Sequence, residues 1–403
     1  MTKDLLELDI TGIAHGGVFV ARHEGRVVFV SDAVPGERVR ARLSVFGENE
    51  RFWRADTVEV LDASPHRRAH VWADADLSRD PDDRPGGADL GHIALDHQRV
   101  LKQQVLQEAL DRFGGGGLAA PEVAALDESD GTGWRTRVTL HVDDNKNIGP
   151  FAARSHRVIR TRELPLARPA VAEAARALGA AEPGRVSLVE AGDGRVRVIS
   201  QPDKGTRRRA EPIWERVRDR RFDLDADGFW QVHPHAATTL DQTVTEMLAD
   251  RVDPKAAHLD LYGGVGLFAG TLSDLGARRV TTVESSKRAT THAAANLAKA
   301  PARVTAVTAR VDRYLAQLEA SVAGTFAGGT VVLDPPRAGA GRNVVEAVAG
   351  LAPASIVYVA CDPVALARDL KTFRELGWEP ELLRAFDLFP HSHHFETVAL
   401  LGR

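Results

Sequence analysis

Residues 356–369 read IVYVACDPVALARD, and the fold follows from how that stretch divides. The run Ile356, Val357, Tyr358, Val359 is apolar and β-rich, and it stops at Cys361-Asp362-Pro363. A helical pattern then carries on through Leu366, Leu370 and Phe373. The stretch therefore reads as strand, tight turn, helix, with a thiol at the strand's carboxyl end. Open α/β sheets bind their ligands at that edge. The amides at the start of the following helix are expected to favour a thiolate there. A lone cysteine is just as readily a small buried hydrophobe, so position alone leaves both roles open.

Cys361 is the only cysteine among 403 residues, which excludes an internal disulfide framework and any zinc site built on several thiolates. At roughly 150 residues per domain the length suggests two or three domains. With 43% hydrophobic and 27% charged residues, the chain has the composition of a soluble globular protein. No apolar run approaches the ~20 residues of a membrane span, and the start MTKDLLELD is no signal peptide, so the expectation is a cytoplasmic protein. The net charge of −4 does not by itself suggest nucleic acid, but the distribution of charge carries more information than the sum.

From the amino end, residues 1–62 give short, partly alternating strands broken by Gly-Gly, Glu-Gly and Pro-Gly turns, the pattern of a small OB-type barrel. The arginines of GERVRARL suit a basic strand face. Gly12, Gly16, Gly17, Pro35, Gly36 and Glu37 resemble a TRAM domain, an RNA-binding OB-like module. Residues 63–92 are acidic and Pro-rich and read as an exposed loop. A helix is expected from Leu95 to Phe113, ending at the four glycines 114–117. The segments GWRTRVTLHVDD and FAARSHRVIRTRELPL are strand-like and Arg-rich. Trp134 beside Arg135 and Arg137 suits a surface that tracks an RNA backbone and stacks its bases. A further basic cluster at 206–221 reads as a loop beside it.

Beyond Asp253, strand and helix patterns alternate, which argues for a doubly wound sheet. Gly264-Val265-Gly266-Leu267-Phe268-Ala269 lies between a strand and a helix, and Glu284 closes the next strand. Glycines let the backbone approach a ligand, and such an acid accepts ribose hydroxyl hydrogen bonds. At this level a nicotinamide dinucleotide and S-adenosylmethionine (SAM) look alike. Asp334-Pro335-Pro336-Arg337 is a stiff loop at a strand end, able to hold a planar base over a reactive group, which favours methyl transfer. In Phe389-Pro390-His391-Ser392-His393-His394-Phe395-Glu396 the histidine spacing is irregular for a metal. The three histidines are read as solvated or RNA-facing. Glu396 opens the last strand, where apolar neighbours would raise its pKa towards proton-transfer range.

DLYGGVG, VESS, LDPPRAG, VYVACDPVALARDL and DLFPHSHHFET, in this order, resemble the SAM-dependent RNA uracil-5 methyltransferases; GFWQVHP, residues 228–234, is similar to the family's FxQVN segment. The resemblance implies a Rossmann-like class I methyltransferase domain at 226–403, a central α+β RNA-binding region at 63–225 and a TRAM barrel at 1–62. It implies that Gln231, Tyr262, Glu284 and Asp334 contact SAM or sit beside it, joined by Gly264 of the glycine turn, with Cys361 as nucleophile, Glu396 as base and Asp334 counted with them as catalytic. A thiolate adding to C6 of uracil makes C5 nucleophilic, and a base then removes the C5 proton. The base must leave its stack to be reached. A single cysteine favours uracil over cytosine, whose enzymes in similar folds use two.

The chain departs from the family at the iron–sulfur loop. Pro85 and Ala88, and Leu164 further on, stand where relatives carry cysteines, so no cluster is expected and no metal. Leu267 and Arg310 replace other residues near the SAM site. The expected partner is RNA, ribosomal RNA before transfer RNA, with no membrane and a monomeric chain. The alternatives are a transfer-RNA enzyme, a non-catalytic RNA-binding protein and an NAD-dependent oxidoreductase.

Overall fold

The computed structural model describes residues 5–47, 50–204, 211–318 and 320–403. The first six strands form one sheet in the order Leu5–Asp9, Arg38–Val45, Trp53–Asp62, Arg26–Ser31, Val18–His23, Gly12–Ala14. Period-two alternation drives it: Val39, Ala41 and Leu43 point inward beside Phe19, Ala21, Val28 and Val30. The outward arginines of the same strand do not make an open basic face. Arg38 pairs with Glu7 at 2.8 Å, Arg40 with Glu7 and Glu59, and Arg42 with Asp80 at 2.8 Å.

The acidic stretch 63–92 is only partly an exposed loop. It makes two short 3-10 turns, Ala73–Ala75 and Pro81–Asp83, and buries Trp72, Ala88 and Leu90. Arg84, 2% exposed, anchors it by donating to Asp32 Oδ2 at 2.7 Å and to the Thr57 carbonyl at 2.9 Å. A buried guanidinium needs such partners, and the acidic residues around it supply them.

In the central region, Val196–Pro202, Gly184–Glu190, Arg137–Val142 and Ile148–Gly149 form a four-stranded sheet. The helix Pro169–Arg176 covers one face, packing Val171 against Leu140 and Leu188. Residues 151–166, expected as strand, contribute only isolated bridges, among them Phe151 with Val158. Of the basic cluster 206–221, residues 206–210 lie outside the described residues. The remainder is a hairpin, Pro212–Val217 with Arg220–Asp225, rather than a loop. Its arginines are engaged: Arg218 with Asp241 at 2.7 Å, Arg220 with Asp274 at 2.5 Å and Arg221 with Asp223 at 2.7 Å.

The long helix Leu95–Phe113 packs on the helix Pro363–Glu375, so Leu101, Leu106 and Leu110 share a core with Leu366, Leu370 and Phe373. That core runs without a break into the inward residues of the first sheet. The last sheet has eight strands in the order Arg303–Thr308, Arg279–Glu284, Ala257–Leu261, Thr330–Leu333, Ser355–Ala360, Glu396–Gly402, Glu379–Phe386, Val123–Ala124. The first five are mutually parallel, and Glu396–Gly402 is inserted antiparallel. The fully buried strand SIVYVA carries no alternation because both faces of the sheet are covered.

Candidate active site

Register brings the predicted residues to one edge. Leu261 pairs with Val283 on one side and Leu333 on the other. The next residue on each of these parallel strands is Glu284, Tyr262 or Asp334, so the three form a row at the carboxyl edge. Ala360 pairs antiparallel with Thr397. One residue further out stand Cys361 and Glu396, near enough for the charge of Glu396 to act on the thiol.

Tyr262 (φ 62°), Gly264 (φ 54°) and Gly266 (φ 95°) turn the chain from the strand Ala257–Leu261 into the helix Leu267–Asp274. A Cβ on Gly264 would meet nothing within 4 Å, so backbone there borders open cleft; on Gly266 it would meet Leu297 at 2.7 Å. Glu284 is held by its own turn, its Oε1 accepting from Ser285 Oγ at 2.9 Å and Ser286 N at 2.7 Å. Arg310, a departure from the family pattern, is turned onto Asp312 at 2.8 Å.

The loop bearing Asp334 is fixed from the cysteine's own elements. Asp369, on the helix after Cys361, accepts from Tyr358 Oη at 2.6 Å and from Ala340 N at 2.7 Å. Asp362 caps that helix, Oδ1 accepting from Ala365 N at 2.8 Å. His15, from the first sheet's turn, donates to the other carboxylate oxygen of Asp362 at 2.9 Å. The expected thiolate stabilisation by the helix start is therefore corrected. Asp362 takes that position, and burial, with Glu396 and Asp334 nearby, pushes the Cys361 thiol up to about 12. Arg337 works in the opposite direction.

Glu396 is buried, 3% exposed, rather than an exposed strand-end acid. Burial first, then the charge of Asp334, raises its pKa well above the ordinary carboxylate value. Asp334 is itself raised to about 7 by burial and by Asp260. Asp260 lies beneath the glycine loop, also raised to about 7 by burial; its Oδ2 accepts from Thr282 Oγ1 at 2.9 Å and Ala269 N at 3.1 Å. The site thus holds three carboxyl groups and a thiol whose pKa values are all pushed upward, toward the neutral form.

One of the three histidines is corrected as well. His391 is buried, its Nε2 donating to the Asp130 carbonyl at 2.8 Å and its Nδ1 accepting from Gln98 Nε2 at 3.0 Å. It is neither solvated nor RNA-facing. His393 pairs with Asp89 at 2.7 Å, and His394 Nε2 accepts from Arg337 Nη2 at 3.1 Å; burial pushes His394 down to about 3. The loop is held from below by Lys102, which donates to Asp387 Oδ1 at 2.5 Å and to the Phe389 carbonyl at 3.1 Å. Sequence reasoning missed His15, Lys102 and Asp369. All three are ordinary polar residues whose partners lie far away in sequence.

Trp134 is also corrected: it is buried against Phe389 and His233, not presented for stacking. An aromatic that is exposed in this region is Phe229, 75% exposed, two residues before Gln231. Beside it a cavity of about 510 Å³ is lined by Arg135, Arg137, Thr139, Arg185, Ser187 and Gln201, the last four on the sheet face away from the helix Pro169–Arg176. Arg135 Nε and Arg137 Nε and Nη2 are buried there without a hydrogen-bond partner.

Neither iron–sulfur cluster nor zinc fits the donor set. Ala88 and Leu164 pack with Trp72, Trp134 and Leu166 in an apolar cluster, and Pro85 bridges Ala152. Among the described residues no group of three or more His, Cys, Asp or Glu side chains is placed to hold a metal ion. For SAM the residues do fit: a glycine turn open to the cleft, with Glu284 and Asp334 on either side of Tyr262.

The fold and this edge define a methyltransferase-type α/β protein. The tRNA (uracil-5-)-methyltransferase family model matches residues 215–403. An RNA methyltransferase of Streptomyces avermitilis is 41% identical, covering 98% of this chain and 97% of the relative. The 23S rRNA (uracil(1939)-C(5))-methyltransferase of Halomonas elongata is 31% identical over 98% of this chain and 89% of its own. The structure of Pyrococcus abyssi tRNA (uracil-54, C5)-methyltransferase with S-adenosyl-L-homocysteine superposes with a TM-score of 0.72 at 22% identity, covering 98% and 99% of the two chains. The chain belongs to the SAM-dependent RNA (uracil-5)-methyltransferase family. The nicotinamide and non-catalytic alternatives fall with that membership.

Proposed function

We propose that the protein methylates C5 of a uridine in ribosomal RNA through a covalent bond between Cys361 and C6 of the base. The observation that supports this reading is the gathering of Cys361, Glu396 and Asp334 at one strand edge, close enough for both carboxyl groups to act on the thiol. SAM, when bound, supplies the methyl group and a positive charge. A positive charge in the cleft would oppose the upward shifts that burial imposes on Asp334, Glu396 and Cys361. Once its proton has passed to solvent, the Cys361 thiolate adds to C6 and leaves C5 nucleophilic. Glu396, buried beside it, accepts the C5 proton after methylation, and the C6–S bond breaks to return the thiolate. Gln231, Tyr262, Gly264, Glu284 and Asp334 hold the cofactor.

The six-stranded module is read as a TRAM barrel and the catalytic sheet as a class I methyltransferase sheet. The cleft bearing Arg135, Arg137 and Arg185 suits an RNA backbone: cations with hydroxyl donors and a single lining carboxylate, Asp227. The Halomonas relative supports ribosomal RNA.

The test is mapping of 5-methyluridine in RNA from cells with and without the gene, joined to two variants. Cys361→Ala is expected to abolish methylation while SAM still binds. Glu396→Gln is expected to accumulate a protein–RNA adduct that survives denaturing electrophoresis. Normal turnover by Glu396→Gln with no trapped adduct would assign the base elsewhere, with His393 and His394 next in line.

A further inference from the structure

The turn between the first sheet's strands Gly12–Ala14 and Val18–His23 touches the reacting end of the molecule. Ile13, Ala14, His15, Gly16 and Gly17 line one side of a cavity of about 90 Å³, and Cys361 with Arg337, His393 and His394 lines the other. The approach is close. A Cβ on Gly17, whose φ is +72°, would stand 2.7 Å from His393 Cβ. His15 Nε2 donates to Asp362 Oδ2 at 2.9 Å while Asp362 Oδ1 holds the helix cap, so both oxygens of the residue after Cys361 are committed.

We propose that this turn is part of the catalytic site: it forms one wall of the thiol pocket, and His15 is a positioning residue that sets Cys361 through Asp362. The proposal rests on the methyltransferase reading and adds a role for the N-terminal module beyond holding RNA. The physical case has three independent parts. The direction of the Cys361 side chain depends on the backbone of Asp362, which is extended (φ −126°, ψ 116°) where the strand hands over to the helix. A carboxylate tied at both oxygens cannot rotate away and take that backbone with it. The turn has a glycine, Gly17, where it meets the His393 loop, so the contact is built for close approach rather than incidental. The groups facing His15 are Asp362, which raises its pKa, and Arg368, which opposes this. Burial also lowers it, and the hydrogen bond to Asp362 outweighs both, so the net shift is upward.

The single thiol makes the idea directly readable. In the full-length protein, the rate at which N-ethylmaleimide modifies Cys361 reports pocket access, and steady-state kinetics separate kcat from the KM for RNA. His15→Ala and Gly17→Ala are expected to speed modification and to lower kcat by about fivefold, with SAM affinity unchanged. Asp362→Asn keeps the cap but not the charge; it is expected to lower kcat by less than His15→Ala does. Arg38→Ala breaks an ion pair of the same sheet away from the pocket and is expected to leave both readouts unchanged. A rise in KM for RNA alone, with kcat and modification rate unaltered in His15→Ala and Gly17→Ala, would overturn the proposal and leave the module an RNA-holding one. Faster modification in these variants of a wild-type protein that methylates no RNA would support the wall and sink the proposed function instead.

Discussion

Asp387→Asn should be costly, and more so at neutral than at alkaline pH. Lys102 and Asp387 are each 1% exposed at the side chain, with Nζ 2.5 Å from Oδ1. The substitution keeps shape and an acceptor oxygen but leaves an ammonium buried without a counter-charge. Breaking such a pair from one side costs about 3–5 kcal/mol. A second route gives a ceiling. The orphaned lysine can lose its proton, and doing so at pH 7 costs about 1.36 × (10.4 − 7), roughly 4.6 kcal/mol. At pH 9 the same cost is roughly 1.9 kcal/mol. Burial already lowers the Lys102 pKa in the intact protein, so the direction is set. A folded state that binds fewer protons than the unfolded one gains stability as pH rises. The deficit relative to wild type should therefore shrink by up to about 2.7 kcal/mol between pH 7 and 9. Chemical denaturation at the two pH values measures it, and Lys102→Met/Asp387→Asn should remove the pH dependence. A deficit that is absent, or equal at both pH values, would refute the reasoning. Because Lys102 also holds the Phe389 carbonyl, six residues before Phe395, kcat should fall with stability.

The Cys361 thiol at about 12 predicts that its alkylation in the resting protein climbs with pH through 10 without levelling, whereas a free thiol levels near pH 9; an early plateau would show a more acidic thiol. Asp260, raised to about 7 against an ordinary value of 3.8, keeps its proton in the folded state where the unfolded chain has lost it, so it makes stability fall as pH rises across that interval. Asp260→Asn should flatten that part of the stability–pH curve, and an unchanged slope in thermal melts would contradict it. The purified protein should carry no stoichiometric iron, since Pro85, Ala88 and Leu164 offer no thiolate; a brown preparation with several irons per chain would overturn that reading.

Much of the catalytic edge was legible because it is encoded locally. The strand runs before Glu284, Asp334 and Cys361 are apolar and end in turn residues, and parallel register does the rest by placing successive strand ends in one row. Glu396 was legible for the same reason, since an antiparallel last strand begins where its parallel neighbour ends. Surface charge was the part misread. The runs at Arg38–Arg42 and Arg218–Arg221 look alike in sequence to an RNA-binding face, yet Arg38, Arg42, Arg218 and Arg220 each meet a carboxylate contributed from elsewhere in the chain, and Arg221 meets Asp223 of its own hairpin. Trp134 failed similarly: nothing beside it in sequence says that Phe389 and His233 will cover it.

The contact between His15 and Asp362 spans 347 positions, and no period or composition announces a pair at that separation. What the sequence did contain was Gly16-Gly17, read as a turn of a separate module. The structure gives the pair a second function, because a turn that only reverses direction tolerates a side chain pointing to solvent, whereas Gly17 faces His393. The same logic applies to the module as a whole. Its inward residues belong to the core that includes Leu101, Leu106 and Leu366, so removing residues 1–62 would strip packing from the helix behind Cys361 as well as any RNA contacts. Loss of activity on such a truncation therefore cannot be assigned to RNA binding alone. Point changes at the turn separate the two, since they leave the shared core intact.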